Sequence, residues 1–481
     1  MSLAKRTGHT PESTSPPVEF RSPVAQGEHG PSLTNGGTDD AGLSGRVPSW
    51  DTRRYAGTAH GRFGEPKRIR EVAGSRERVI ALSGMATVRN DSSLTVLVLA
   101  DRIEVALPAC RALRRGGHVV GAATSAGTPP VSMSKAVTHK HVFPGSSDPQ
   151  EAWESALALA VSQRAYDLVL ACNDVDVLRL TVMKPSVATV PSISSVQAVV
   201  LDKAALDQVC ADVGVKYPRT YAPGTPSHDV TIATGGSART VVKAATPAVM
   251  TDGGIVHIPG MTTASDPRAV VSAMERYRAA GLRPILQEHV DGPKLQATII
   301  RREGATLCRF VALVERGTPA EATLLQLDSS ADIGGECIAA LERVADRAGY
   351  AGILQAEFIA TPVGVCLIDL NPRLWGGLAF AELVGLRMTE RAAYDALGLS
   401  APAIPREAPG RRYHHAAREL AYLLRSPRDV RSVVSRWSRN DVWDVPPFND
   451  MRPHIEQSFQ QARSSWQGRT FRRKGRLSAT R

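Results

Sequence analysis

Apolar and polar positions divide the 481-residue chain into parts of different character. Over residues 1–92 Gly, Pro, Ser and Thr are frequent, large apolar residues are few, and neither a 3.6-residue nor a 2-residue repeat is sustained. Such a stretch cannot bury enough apolar surface to offset the entropy lost on ordering. Residues 1–92 are therefore expected to be disordered, apart from a short helix near Val79 to Leu82. The pattern changes at residues 94–100 (LTVLVLA), a continuous apolar run that fits a strand buried on both faces. Ile103, Val105, Ala106, Ala109, Cys110 and Leu113 then recur at helical spacing, Gly116 and Gly117 end the helix, and residues 118–124 form a second strand. A second round follows, with a helix over 149–163 and a strand over 167–172.

Alternating strands and helices imply a parallel, doubly wound α/β sheet, here over residues 93–195. Ligands of such sheets bind beyond the carboxyl ends of the strands, which places Asp101, Asn173 and Asp174 at the mouth. From residue 196 the pattern becomes α+β: a helix over 197–213 stopped by Gly214, strands at 240–244 and 284–288, and an antiparallel pair at 295–301 and 307–314. A helix over 338–348 precedes two strands, 353–359 and 365–370, joined by a turn at 361–364. This second unit runs to about residue 400. Residues 401–481 read as a helical extension, with helical segments at 416–424 and 437–443 before a basic tail.

Composition narrows the class. A hydrophobic fraction of 43% is ordinary for a folded protein, so most of the chain has material for a core. No apolar run reaches the length of a membrane span and the first residues lack a signal-like stretch, so a cytoplasmic protein with no membrane partner is expected. The six cysteines are scattered without metal-ligand spacing and read as reduced, buried thiols. The net charge of +11 comes largely from Arg near 68–78 and 472–476, outside any reading motif, which favours solvated ends over a nucleic-acid site.

Several chemistries are set aside by missing patterns. No Gly-x-Gly-x-x-Gly turn follows the first strand, which continues as Asp101-Arg102-Ile103-Glu104, and no Walker loop or nucleophilic triad is present. His139-x-His141 and His414-His415 lack a third ligand and read as loop histidines. The paired strands near residue 360 carry more. Asp369 and Asn371 are two apart and share a strand face, and a hairpin can bring Glu357 opposite them. Two carboxylates and an amide oxygen suit a hard cation such as magnesium, although a solvent-facing strand would hold the same residues without one.

The order of Lys203, Lys243, Gln287-Glu288-His289-Val290-x-Gly292, Glu357 and Asp369-x-Asn371-Pro372-Arg373 resembles the ATP-grasp superfamily over roughly residues 94–399. The continuation Leu374-Trp375-Gly376-Gly377 resembles its carboxylate-amine ligase-like branch. The resemblance implies a Rossmann-like preATP-grasp domain followed by a two-lobed ATP-grasp fold that holds ATP between its lobes. It implies Lys203 and Lys243 at the phosphates, and Gln287, Glu288, His289 and Val290 beside adenine. Glu357, Asp369 and Asn371 would hold magnesium, with manganese as an alternative, and Lys243 and Arg373 would act in catalysis.

The implied activity is activation of a small carboxylate as an acyl phosphate for attack by an amine. A carboxylase, a phosphotransferase or a silent nucleotide-binding protein are the alternatives, and a homo-oligomer is left open. Asp369 stands where the family usually has Glu, and Lys294 where many members carry an acid for the ribose. Arg309, Glu315 and Arg316 are what the chain offers in place of an Arg-rich substrate segment.

Overall fold

The computed structural model describes residues 93–457 except for 126–129, 146–147, 193–200, 222–238, 252–253, 259, 317–322, 402, 404–408, 436 and 446–447. The expected disorder of 1–92, the helix near Val79 and the last stretch of the basic tail lie outside the described residues.

The apolar run near residue 95 forms β1 (Thr95–Leu99), central in a parallel five-stranded sheet with β2 (Val119–Ser125), β3 (His139–Phe143), β4 (Leu168–Ala171) and β5 (Ala188–Val190). The strand order β3-β2-β1-β4-β5 is that of a doubly wound sheet. Val96, Leu97 and Val98 have no exposed surface, as strands covered on both faces require. The helix Ile103–Arg115 turns Val105, Ala109, Cys110 and Leu113 to the core. His139 and His141 are not in a loop: they lie on edge strand β3, where His141 Nε2 meets the Tyr166 hydroxyl at 2.7 Å.

The second unit is built from an antiparallel sheet and a larger one that is antiparallel except at its last pair of strands. The smaller has the order β10-β7-β11-β6, with β6 at Thr220–Tyr221, β7 at Thr240–Ala244, β10 at Thr262–Ala264 and β11 at Pro284–Glu288. Between β7 and β10 the chain makes a separate hairpin of β8 (Ala248–Thr251) and β9 (Gly254–His257). The helix Pro267–Ala279, started by Pro267 and by Asp266 accepting from the Arg268 amide, packs Val270, Met274 and Tyr277 onto Val242 and Leu286. Sequence periodicity missed this helix.

The larger sheet starts with β12 (Lys294–Arg302), β13 (Ala305–Arg316) and β14 (Thr323–Gln326). It is completed by the hairpin β15 (Gly352–Thr361) and β16 (Gly364–Asn371), then by β17 (Arg412–His414) and β18 (Val442–Trp443). Its order is β16-β15-β12-β13-β14-β17-β18. The helix Asp332–Arg347 covers one face through Cys337, Ile338, Leu341 and Val344. Trp375, Leu378 and Phe380 share the other face with the core of the parallel sheet.

Two expectations need correction. Residues beyond 400 are not only helical: β17 and β18 extend the larger sheet, and 442–443 is strand because its backbone pairs with Tyr413 and His414. Of the helix expected over 197–213, Leu201 is helical and Lys203–Asp212 form a helix that Asp202 caps, its Oδ1 accepting from the Ala204 amide; 197–200 lie outside the described residues. The helix expected from 338 begins at Asp332, because Gly334 lets its first turn lie against the Asp328 carbonyl, where any Cβ would collide. Two glycines in sequence hid that turn.

All six cysteines are buried and none forms a disulfide. Among the described residues, no helix is long and apolar enough to cross a membrane. Gly334→Ala should force backbone apart at the Asp328 carbonyl and lower stability by about 1–3 kcal/mol, several degrees in the thermal midpoint. An unchanged midpoint in a calorimetric scan would mean that the first turn is not held by this approach.

Candidate active site

The β15–β16 hairpin sets the geometry. Its two-residue turn at Pro362 and Val363 would place Glu357 opposite Ile368 in a regular ladder, with Asp369 on the far face. The register instead slips by one residue: Phe358 faces Leu367, whereas Glu357 faces Asp369 and Gln355 faces Asn371. Ile368 is the extra residue of a β-bulge. The bulge brings both carboxylates to the same face, while Ala356, Phe358, Leu367 and Leu370 keep to the core beneath the helix Asp332–Arg347. Alternation on the sequence foresaw the facing of Asp369 and Asn371 but not the bulge.

Cations from three other elements meet this face. Lys203, at the start of its helix, pairs with Asp369 Oδ1. Lys294, at the start of β12, lies 2.9 Å from Glu357 Oε2. Lys243 on β7 is buried, and its Nζ donates to the Ile368 carbonyl at 2.9 Å, the backbone group that the bulge sets apart from Glu357. Burial and the neighbouring Lys203 charge push the Lys243 ammonium down to about 8, against the pull of Asp369 and Glu357. Burial pushes the Asp369 carboxyl up, but Lys203 and Lys243 outweigh it and hold it at about 2.

Arg373 closes the far end. Its Nε and Nη2 donate to the two oxygens of Asp174 at 2.7 and 2.8 Å, its Nη2 also reaches Asn371 Oδ1 at 3.0 Å, and its Nη1 donates to the Leu374 carbonyl. Asn371 in turn donates to Gln355 Oε1 at 2.8 Å, which fixes its amide. Asp174 opens the helix Asp174–Met183 after β4, so this fork joins the parallel sheet to the hairpin.

On the opposite wall, β11 leads through Gln287, Glu288, His289 and Val290 into β12. Gln287 is buried and donates to Thr220 Oγ1 at 2.8 Å, and the amides of Glu288 and His289 donate to the carbonyls of Arg219 and Arg239. Gly292 in this connection has φ +153°, and a Cβ there would strike the Ala360 carbonyl, so the chain can pass close to β15 only as glycine.

These groups surround one cleft of about 820 Å³ between the smaller and larger sheets, open toward the ends of β1 and β4. Lys203, Lys243, Gln287, Glu288, His289, Val290, Glu357, Asp369, Asn371 and Arg373 all line it, together with Asp101, Asn173 and Asp174. Arg309, Glu315 and Arg316 do not: Arg309 pairs with Glu342, and Glu315 with Arg412. Sequence reasoning passed over Arg102, Asp176, Arg179 and His257, which also line the cleft. The strand-end rule that singled out Asp101 and Asp174 would have reached the first two had it been extended by one or two residues. Burial pushes the Asp176 carboxyl up to about 8, with Asp101 adding to it.

No family model matches the chain, and no curated protein is similar to it in sequence. Solved structures are similar in fold. A biotin carboxylase from Campylobacter jejuni, in complex with βγ-ATP, superposes with a TM-score of 0.52 at 17% identity, over 64% of this chain and 72% of that one. The fold is the ATP-grasp fold. N5-carboxyaminoimidazole synthetase from Staphylococcus aureus shares it with a TM-score of 0.50 at 11% identity, over 65% of this chain and 79% of that one. So does the biotin carboxylase domain of Hydrogenobacter thermophilus 2-oxoglutarate carboxylase, with a TM-score of 0.50 at 15% identity, over 66% of this chain and 72% of that one. In this chain the preceding parallel sheet contributes one wall of the cleft.

The Asp174–Arg373 fork has little exposure on either side. Asp174→Ala leaves Arg373 buried beside one fewer anion and should cost about 3–5 kcal/mol, whereas Asp174→Ala with Arg373→Met should recover most of the loss. The carboxyl of Asp174, pushed up by burial, is held below its ordinary value by Arg373. Its contribution is therefore complete above the ordinary carboxylate range and lost as pH falls through the folded value. The gap in denaturant midpoint between wild type and Asp174→Ala should close on acidification; a gap that persists at low pH would remove the fork from the stability of the fold.

Proposed function

We propose that this chain is an ATP-dependent ligase that activates a small carboxylate as an acyl phosphate, which an amine then attacks. The observation that supports this most directly is the bulged hairpin that sets Glu357 and Asp369 face to face while Lys203 and Lys243 converge on them. Two carboxylates with the Asn371 amide oxygen form a hard, oxygen-only donor set, and each carboxylate already holds a cationic partner, so the face suits a positive ion. Glu357, Asp369 and Asn371 would hold magnesium or manganese, which when bound neutralises charge on the outer phosphates.

The chain's own residues supply position and charge. Lys243 is buried and anchored on a strand, a compact ammonium suited to hold a phosphate oxygen. The apolar wall at Val241, Ile359 and Ile368 and the segment Gln287 to Val290 fit a purine with its edge toward backbone groups. Arg373 keeps Asn371 oriented and presents charge to the reacting carboxylate. A substrate carboxylate oxygen attacks the terminal phosphorus of ATP, the bond to ADP breaks, and the acyl phosphate forms. The amine then adds to the acyl carbon, phosphate leaves, and the amine proton passes to solvent. Charge stabilisation and alignment account for most of such a step.

A carboxylase is the second reading, favoured by the biotin carboxylase and carboxyaminoimidazole synthetase likenesses in fold. ADP release measured across organic acids and bicarbonate, with hydroxylamine present, separates the two. An acid-specific hydroxamate supports the ligase; ADP release on bicarbonate alone supports the carboxylase.

Asp369→Asn keeps shape and removes one charge, and should slow turnover about a hundredfold. Full magnesium-dependent ATP consumption by this variant would place the chemistry elsewhere. Lys243→Ala should weaken Mg-ATP binding roughly tenfold. Because the Lys243 ammonium loses its proton near pH 8, calorimetric affinity should fall as pH rises through that value, and Lys243→Arg should remove the inflection. A pH-independent affinity in wild type would overturn the phosphate role.

A further inference from the structure

The cleft extends past Arg373 to the carboxyl ends of β1 and β4, well beyond what the proposed nucleotide site uses. Its charged side chains there are nearly all engaged. Asp101 accepts from the Ser125 amide and hydroxyl at 2.7 and 2.9 Å, Asp176 accepts from Asn173, and Arg179 donates to the carbonyls of Gly145 and Asp148. Asp174 and Arg373 pair with one another.

Arg102 is the exception. It lines the cleft, is partly buried and sits close to Gly376, with its Nη2 3.9 Å from where a Cβ would stand on that glycine. Only its backbone carbonyl is engaged, accepting from Val105 and Ala106 at the start of the helix Ile103–Arg115. Among the described residues, no hydrogen bond or ion pair reaches its guanidinium. Burial and the neighbouring Arg373 disfavour its charged form, and outweigh the pull of Glu104 and Asp174. A half-buried guanidinium beside a second one, with no hydrogen bond of its own, costs stability unless a further anion reaches it. The protein carries that cost where a substrate enters, which is the pattern of a binding residue rather than a structural one.

We propose that Arg102 binds an oxyanion of the acid substrate other than the one that is phosphorylated, and so selects for acids that carry a second anionic group. The planar five-donor fork suits a carboxylate or a phosphate, and Arg373, committed to Asp174 and Asn371, leaves that task to Arg102. The kind of substrate rests on the carboxylate-activating reading, and the readout is binding so that the two can fail separately.

The full chain with Mg-ADP is titrated calorimetrically with succinate, glutarate and phosphoglycolate, each against a monoacid of matching length: butanoate, pentanoate and glycolate. Wild type should bind at least one dianion more tightly than its monoacid, and the member that binds distinguishes carboxylate from phosphate. Arg102→Met should weaken that dianion about tenfold or more, the worth of a charge-assisted contact, with less than about twofold change for the monoacid. Arg102→Lys should restore part of it. The thermal midpoint of Arg102→Met should equal or exceed that of wild type, because a repulsive cation is gone; a structural arginine would lower it. Equal affinity for dianions and monoacids in wild type, or an equal loss of both in Arg102→Met, overturns the assignment. Dianion binding that depends on Arg102 without hydroxamate formation from any acid would leave Arg102 in place and sink the ligase reading.

Discussion

Like and unlike charges gathered on one sheet face constrain everything else in this molecule. Glu357 and Asp369 could not lie side by side at low exposure without compensation, because a desolvated carboxylate next to another is driven to protonate. The fold answers with ammonium groups brought from separate places: the start of a helix for Lys203, the middle of the smaller sheet for Lys243 and the start of β12 for Lys294. The Arg373 fork with Asp174 extends the same balance to the parallel sheet. The Lys203, Lys243 and Arg373 partnerships tie the larger sheet to elements outside it, whereas Lys294 reaches Glu357 from the neighbouring strand of the same sheet. The arrangement of the lobes and the electrostatics of the cleft are thus one problem, solved together.

Much of this was legible in the residues, for identifiable reasons. The parallel sheet announced itself because strands covered on both faces must be apolar throughout, as at Val96 to Leu99. The hairpin was readable because Asp369 and Asn371 keep period two between apolar neighbours. The ordered lysines and the Asn-Pro-Arg run led to the ATP-grasp fold, and the fold is what the solved structures share.

What was not legible depended on distant contacts. The helix Pro267–Ala279 mixes Arg with apolar residues and makes sense only against Val242 and Leu286. The first turn of Asp332–Arg347 contains two glycines, disfavoured by propensity and required by the Asp328 carbonyl. Strands β17 and β18 are too short for any periodicity and exist because β14 offers β17 an open edge and β17 offers one to β18. In the cleft, Arg102 carries no motif, and its interest comes from what fails to contact it. The roles assigned to individual side chains rest on their placement and chemistry, since fold likeness at such low identity speaks for the backbone alone.

The bulge at Ile368 has a dynamic side. A residue that the ladder passes over has a carbonyl free to look outward, and this one holds Lys243 from the facing sheet. Parting the walls at that point ruptures a single charge-assisted bond and no rung of either sheet. That contact can open and close again without unpairing either ladder, so both sheets keep their registers when it does.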